Sequence, residues 1–181
     1  MNIMARINAR KIVLSYFYQR NFFLYSFQQE NIISDVLFAN DIFASEKEQY
    51  GEEKEAFNQQ IQKTLNQNAY ELLDYIIVNF FDQWSKDTID MDYIFSVGLK
   101  INHYHEEIKS AVNRYVDSFE YEKMSMMNQA LFALGYIEWK ELRTEKEILI
   151  NEMIELAKRY DETGSPKLIN AVMHKIISQE T

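Results

Sequence analysis

Apolar residues recur at helical intervals along most of the chain and predict its helices. Residues 4 to 28 form the first predicted helix, long and largely buried. Its apolar positions near one face are Ile12, Tyr16, Phe23 and Phe27. The segment NIISDVLFANDIFAS predicts a second helix, and the charged SEKEQYGEEKE after it predicts a connection. A third helix is predicted from Ala56 to about Trp84, where apolar residues again follow the helical period.

The same pattern continues through the second half of the chain. Residues 88 to 118 predict one helix or a broken pair with its bend at Gly98, and residues 120 to 142 predict another helix. In TEKE, Thr144 and Glu147 have the spacing of a capping box, so the next helix should start near 145.

The last predicted helix follows the sequence DETGSPK. Gly164 can supply a turn, Ser165 is a favourable N-cap residue, and Pro166 suits the first helical position, where its missing N–H costs nothing. The last two helices each carry one apolar stripe. We therefore expect them to pack together as an antiparallel pair.

Composition agrees with an all-α fold. Among 181 residues there are four glycines, one proline and no cysteine, which leaves few turns for β-hairpins and excludes disulfides and thiol catalysis. The length suits one domain. Because no run of 18 apolar residues occurs and no signal-peptide cleavage site follows the first apolar stretch, we expect a cytoplasmic protein without a membrane helix.

The charges are unevenly distributed. The net charge is −9, yet residues 1 to 29 hold four basic residues and no acid, while the rest of the chain holds the other 15 basic residues and all 28 acidic ones. Such asymmetry can mark a nucleic-acid contact, although four charges can also arise by chance.

The candidate nucleic-acid contacts lie on the first helix. Arg6 and Arg10 are four residues apart and share a face, with Lys11 adjacent, so they could present a compact cationic patch to phosphates. Tyr18 lies off the main apolar stripe and could stack on a base. The alternative for the cations is an ordinary solvated helix face.

Other candidate chemistry is weaker. His103 and His105 point apart on a helix, and although Glu107 could join His103 as a ligand, no third ligand is identified, so we predict no metal site. No phosphate-binding loop or nucleophile elbow occurs, and no carboxylate pair is assigned to catalysis. Asn151 and Asn170 lie beside the two apolar stripes, where each is predicted to bond backbone groups at the helix contact.

Two motifs carry a resemblance to a known family. The stretch INEMIELAKRYDETGSPKLINAVMHKI, residues 150 to 176, resembles the C-terminal signature of the NusB family, I-N-E-x-x-E-L-A-K followed by a loop and S-x-K-F-V-N-G-V-L. The stretch ARKIVLSYFYQ, residues 9 to 19, is similar to the family's first helix. The motif residues given a structural role are Asn151, Glu152, Ser165, Lys167 and Asn170.

The resemblance implies a fold and a function. The fold would be two small helical bundles packed together, about 1–84 with extra helical length and about 85–181. The protein would join NusE, a small-subunit ribosomal protein, on boxA-type single-stranded RNA of nascent ribosomal RNA transcripts. It would act in antitermination within the transcription elongation complex, without catalysis or cofactor. Arg6, Arg10, Lys11 and Tyr18 would then contact RNA.

Two alternatives remain open at this stage. One is a NusB-like scaffold that binds proteins without RNA, and the other is a regulatory module related to the N-terminal domains of ribosomal RNA methyltransferases. A homodimer is a further assembly that the sequence leaves open.

Overall fold

The computed structural model describes residues 3–39, 63, 69–80, 88–116, 120–161 and 163–179. These residues form helices and turns with no β-strand among them, which confirms the all-α fold class. The helices are α1 (Ile3–Ala39), α2 (Ala69–Phe80), α3 (Met91–Gly98), α4 (Ile101–Asn113), α5 (Met126–Leu142), α6 (Lys146–Tyr160) and α7 (Ser165–Gln179), with a 3₁₀ turn at Tyr121–Lys123.

The first helix is longer than its apolar pattern predicts. It runs without a break to Ala39, so the predicted end near residue 28 and the separate second helix are wrong. Residues 28 to 39 contain neither glycine nor proline, and therefore nothing interrupts the backbone hydrogen bonds. The predicted connection, SEKEQYGEEKE, lies outside the described residues. Of the predicted third helix, the described part is residue 63 and helix α2.

The middle of the chain confirms the broken pair of helices. Helix α3 ends at Gly98, where an added Cβ would lie 3.2 Å from Cδ1 of Leu73, so the glycine allows α3 to approach α2 closely. Asp90 caps α3, because its Oδ1 accepts a hydrogen bond of 3.0 Å from the backbone N–H of Tyr93.

Capping residues also decide where the later helices begin. Ser125 caps α5 by accepting from the backbone N–H of Asn128 at 3.1 Å, which moves the start beyond the predicted residue 120. The predicted capping box before α6 is wrong. Glu145 occupies the N-cap without a side-chain bond, and the Thr144 hydroxyl donates instead to Oε1 of Glu138 at 2.9 Å.

Helix α5 lies at the centre of the described structure. It packs against α1, α3, α4, α6 and α7, and all its residues from Ala130 to Trp139 are buried. Helices α6 and α7 pack against each other, as their stripes predict. One continuous apolar core extends from α1 to α7. The predicted division into two bundles near residue 84 falls outside the described residues and stays a prediction.

A membrane span finds no support in these helices: across the described ranges, none combines the length and the apolar character that crossing a bilayer requires.

Candidate nucleic-acid interface

Arg10, the central cation of the predicted patch, is buried in an ion network. Its Nε and Nη2 donate to the two carboxylate oxygens of Glu138 at 3.0 and 2.7 Å. Its Nη1 lies 3.0 Å from Oε2 of Glu152. Each nitrogen of the guanidinium thus has a carboxylate partner inside the protein, and only 6% of the side chain is exposed.

Glu138 accepts hydrogen bonds from α1, from α3 and from the connection between α5 and α6. Besides Arg10, it accepts from the hydroxyl of Tyr93 at 2.6 Å and from Thr144 at 2.9 Å. Burial raises the pKa of Tyr93, and the adjacent Glu138 charge raises it further. Burial alone would lower the pKa of Arg10, but its hydrogen bond to Glu138 and the Glu138 charge outweigh burial and hold it above the usual value. The network joins α1, α3, α5 and α6.

Arg6 is held at the start of α3. Its Nε lies 2.8 Å from Oδ2 of Asp90, the residue that caps α3, and the carbon of its guanidinium lies 4.7 Å from the centre of the Tyr93 ring. Arg6 therefore attaches α1 to α3 through charge, ring contact and the cap together.

These contacts correct the predicted cationic patch. Arg6, Arg10 and Lys11 do not form one exposed surface, because the face of α1 that carries Arg10 packs onto α5 and meets Glu138 there. Lys11 is half-buried and has no ion-pair partner among the residues that the structure describes. RNA contact by Lys11 and Tyr18 stays a prediction.

An outer stripe remains on α1. Its members are Lys11, Tyr18, Phe22 and Tyr25. At 100° per residue these four positions fall within about 60° of one another, so they share one side of the helix. The exposed fractions of Tyr18, Phe22 and Tyr25 are 37%, 47% and 48%. The stripe thus combines one cation with three accessible aromatic rings.

The C-terminal motif residues divide into two groups. Glu152 joins the Arg10 network, and Ser165 is buried where α7 begins. Asn151, Lys167 and Asn170 are exposed. Within the described ranges neither asparagine side chain makes a hydrogen bond, so their predicted bonds at the helix contact are not observed. Glu152 is therefore the motif residue with a visible contact, and the structural roles of the other four stay predictions.

Sequence reasoning missed Glu138, the acceptor at the centre of the network. A signal was present, since Glu138 is the single acid in the otherwise apolar run ALFALGYIEW and is fully buried. A carboxylate in such a run needs a cation or several donors to offset desolvation. The pattern does not say that the cation comes from the first helix.

A second buried arginine of α1, Arg20, lies near α4 and the 3₁₀ turn. Arg20 is 7% exposed, and its Nη2 donates to Oδ1 of Asn102. Its charge also acts on Tyr16, Tyr121 and His105. The pKa of His105 lies below its usual value, first because the ring is partly buried and then because Arg20 is near.

This lowered pKa makes stability depend on pH. Unfolded His105 binds a proton more readily than folded His105, so its contribution to stability is present above about pH 6.5 and is lost as the pH falls through the folded pKa. We expect urea unfolding to show lower stability at about pH 5 than at about pH 7. The loss should shrink in His105→Gln but persist in His103→Gln, a control on the same helix. Equal pH dependence in both variants would contradict the assignment.

Comparisons with known proteins support the resemblance that the C-terminal motif carries. The family model for the NusB family matches residues 86–178. A transcription antitermination protein NusB from Helicobacter pylori is 31% identical over 75 residues, covering 41% of this chain and 54% of the relative. One from Campylobacter concisus is 34% identical over 71 residues, covering 39% and 54%. The chain spans about half the length of the curated relatives it matches.

Proposed function

Because the chain belongs to the NusB family, we propose that it is a transcription antitermination factor that binds boxA-type RNA of nascent ribosomal RNA transcripts together with NusE. The names of its relatives support the general role. NusE and boxA come from the family that the two motifs resemble. The protein acts by assembly within the elongation complex, and we propose no catalytic step. The proposed role on nascent transcripts implies that the protein acts in the cytoplasm.

The observation that carries RNA binding is the outer stripe of α1. Single-stranded nucleic acid is held by cations that meet phosphates and by aromatic faces that stack on bases. Lys11 supplies the cation, and Tyr18 and Phe22 lie on the same side of the helix with exposed rings. The stripe therefore offers both kinds of contact along one line.

Arg6 and Arg10 have a different role in this proposal. Their ion pairs with Asp90 and Glu138 fix α1 against α3 and α5, and so fix the direction in which the outer stripe points. They are positioning residues for the RNA surface.

The remaining charge suits a basic protein partner. Outside residues 1 to 29, the 15 basic residues are outnumbered by 28 acidic ones, so the body of the protein repels RNA and attracts cationic surfaces. This is the charge expected of a protein that holds RNA on one helix and a basic ribosomal protein elsewhere.

The first experiment is a titration of labelled RNA. BoxA-like and scrambled RNAs are titrated with the protein, alone and with NusE from the same organism, at several salt concentrations. We expect tighter binding of the boxA-like RNA, a gain in affinity with NusE, and weaker binding as salt rises. Equal or absent binding of both RNAs would contradict the proposal.

The outer stripe is tested by the double variant Lys11→Gln/Tyr18→Ala. Loss of one phosphate contact and one stacked ring should weaken RNA binding about tenfold or more. Lys167→Gln is the matched control, because Lys167 is an exposed cation on α7 away from α1. Wild-type affinity of the double variant, with its circular dichroism unchanged, would remove the stripe from the RNA site.

A second candidate function rests on the enclosure of the arginines. With Arg10 enclosed and Arg6 paired to Asp90, α1 offers less free positive charge than its sequence suggests. This favours a scaffold that binds NusE or another basic protein without RNA. The same titration distinguishes the two functions. If the protein still associates with NusE, and this association does not depend on RNA, the scaffold is established.

A further inference from the structure

The outer stripe of α1 continues towards the start of the helix as an apolar surface. Met4 and Ile7 fall on the same side of α1 as the stripe, because at 100° per residue they lie within the same arc of about 60°. Met4 is 58% exposed, and Ile7 is half-buried. Together with the four residues of the outer stripe, they form what we call the outer face of α1.

RNA contact accounts for only part of this face. Phosphates are bound by cations and bases are stacked on flat rings, whereas Met4 and Ile7 offer neither. The outer face runs for about 32 Å along the helix, and Lys11 is its one charged residue. An exposed apolar surface of this length indicates contact with another protein surface.

The order of residues along the outer face makes it complementary to itself. Two antiparallel copies of α1 can be placed so that the twofold axis passes between residues 14 and 15 of each. A twofold contact requires a patch that matches itself in this way. In this register three kinds of pair meet across the contact, and each occurs twice: Met4 with Tyr25, Ile7 with Phe22, and Lys11 with Tyr18.

Each of these pairs is favourable. An aromatic ring against an aliphatic side chain removes apolar surface of both from water, and the ammonium of Lys11 can lie against the face of the Tyr18 ring. Like charges do not meet, because Lys11 is opposite a ring. With its three rings each more than a third exposed, the face can bury roughly 500 Å² of each copy. The total of about 1,000 Å² suits a weak, reversible dimer.

We propose that a second copy of this chain docks on the outer face of α1 as an antiparallel twofold dimer, and that this dimer and RNA exclude each other. The dimer itself goes beyond the proposed function. The exclusion rests on the proposed function, because Lys11 and Tyr18 are assigned to RNA as well. The dimer therefore covers the RNA surface when no transcript is present, and RNA competes with the second copy for it.

Sedimentation of the full chain over a range of concentrations tests the dimer. We expect an equilibrium of monomer and dimer that holds or strengthens as salt rises, because two chains with a net charge of −9 each repel one another most at low salt. RNA binding has the opposite salt dependence. A chain that stays monomeric at every concentration up to about 1 mM would overturn the dimer.

Phe22→Glu tests the surface. It places a carboxylate against the aliphatic Ile7 at two symmetric positions, so the dissociation constant of the dimer should rise at least about tenfold. Phe23→Glu is the matched control, because this ring is 38% exposed but lies about 130° around the helix from the middle of the outer face. It should change the dissociation constant less than about twofold. Equal effects of the two variants would overturn the assignment to the outer face.

The double variant Ile7→Lys/Phe22→Glu tests the register. The introduced lysine of each copy then meets the introduced glutamate of the other. At low salt the dissociation constant should return to within about threefold of the wild-type value, and the dimer should now weaken as salt rises. A double variant that dissociates as readily as Phe22→Glu alone would contradict the antiparallel pairing.

Labelled boxA-like RNA separates failure of the dimer from failure of the proposed function. Added at low salt, it should convert the dimer into a complex of one chain with RNA. A dimer that stays intact on bound RNA would overturn the exclusion. If the chain forms the dimer but binds no RNA, the proposed function fails and the dimer stands. If a chain that is always monomeric binds RNA, the dimer fails and the proposed function stands.

Discussion

Arg10→Met lowers the free energy of unfolding by about 3–5 kcal/mol, the range for breaking a buried ion pair from one side. The cause is the carboxylate that remains, since Glu138 is fully buried and would keep only Tyr93 and Thr144 as donors. Urea unfolding followed by circular dichroism measures the loss. Arg6→Met is the comparison, with an expected loss of about 1 kcal/mol, because the Arg6–Asp90 pair is more accessible than the Arg10–Glu138 pair.

The double variant Arg10→Met/Glu138→Leu separates charge from packing. With both charges replaced by apolar groups, most of the lost stability should return, although Tyr93, Thr144 and Glu152 each lose a partner. RNA affinity should fall in Arg10→Met, which loses stability, and should recover in the double variant, where stability returns. An Arg10→Met protein that is as stable as the wild type but fails to bind RNA would show that Arg10 faces phosphates after all.

The network explains why the sequence could place the cations on α1 but not orient them. Spacing alone puts Arg6 and Arg10 on one face, and basic residues on a helix more often face water than the core. Which face is buried depends on Glu138, which lies 128 residues further along the chain from Arg10. Only the fold brings these two residues together, and local pattern carries no information about that pairing.

Helices were more predictable than their ends. Apolar period and punctuation predicted the broken pair at Gly98 and the last two helices, because each rests on local preferences. The predicted role of Thr144 failed because its hydroxyl donates to the buried Glu138 instead of accepting a hydrogen bond from a backbone N–H of α6. Tertiary contacts thus overrode a local capping signal.

The candidate site was predicted less well than the fold. Tyr18 is exposed, as its position off the apolar stripe suggested, but the sequence did not single out Phe22 and Tyr25, the exposed aromatic rings that extend the outer stripe. Arg20 was counted only as part of the basic segment. Its burial against Asn102, with no carboxylate partner among the described residues, is a three-dimensional property that composition cannot reveal.

Gly135→Leu lowers the free energy of unfolding by about 2 kcal/mol, the balance between an overpacking cost of about 3 kcal/mol and a helix-propensity gain of about 1 kcal/mol. Gly135 lies in the buried part of α5, facing α6 and α7. An added Cβ would stand 2.9 Å from Cε of Met173 and 3.2 Å from Cγ of Met153. A leucine side chain would have to displace both methionines, whereas Gly135→Ala touches mainly their flexible ends and should be nearly neutral.

Gly164→Leu is the control for this prediction, because nothing lies within 4 Å of a Cβ at that exposed turn. Its effect should stay below about 1 kcal/mol, the cost of a poorer N-cap residue, because the Gly164 carbonyl accepts the first backbone bonds of α7. Displacing α6 would also draw Glu152 away from Arg10, so Gly135→Leu and Arg10→Met should be less than additive when combined. Strict additivity of the two losses would show that the packing of α6 and α7 on α5 is independent of the ion network that fixes α1.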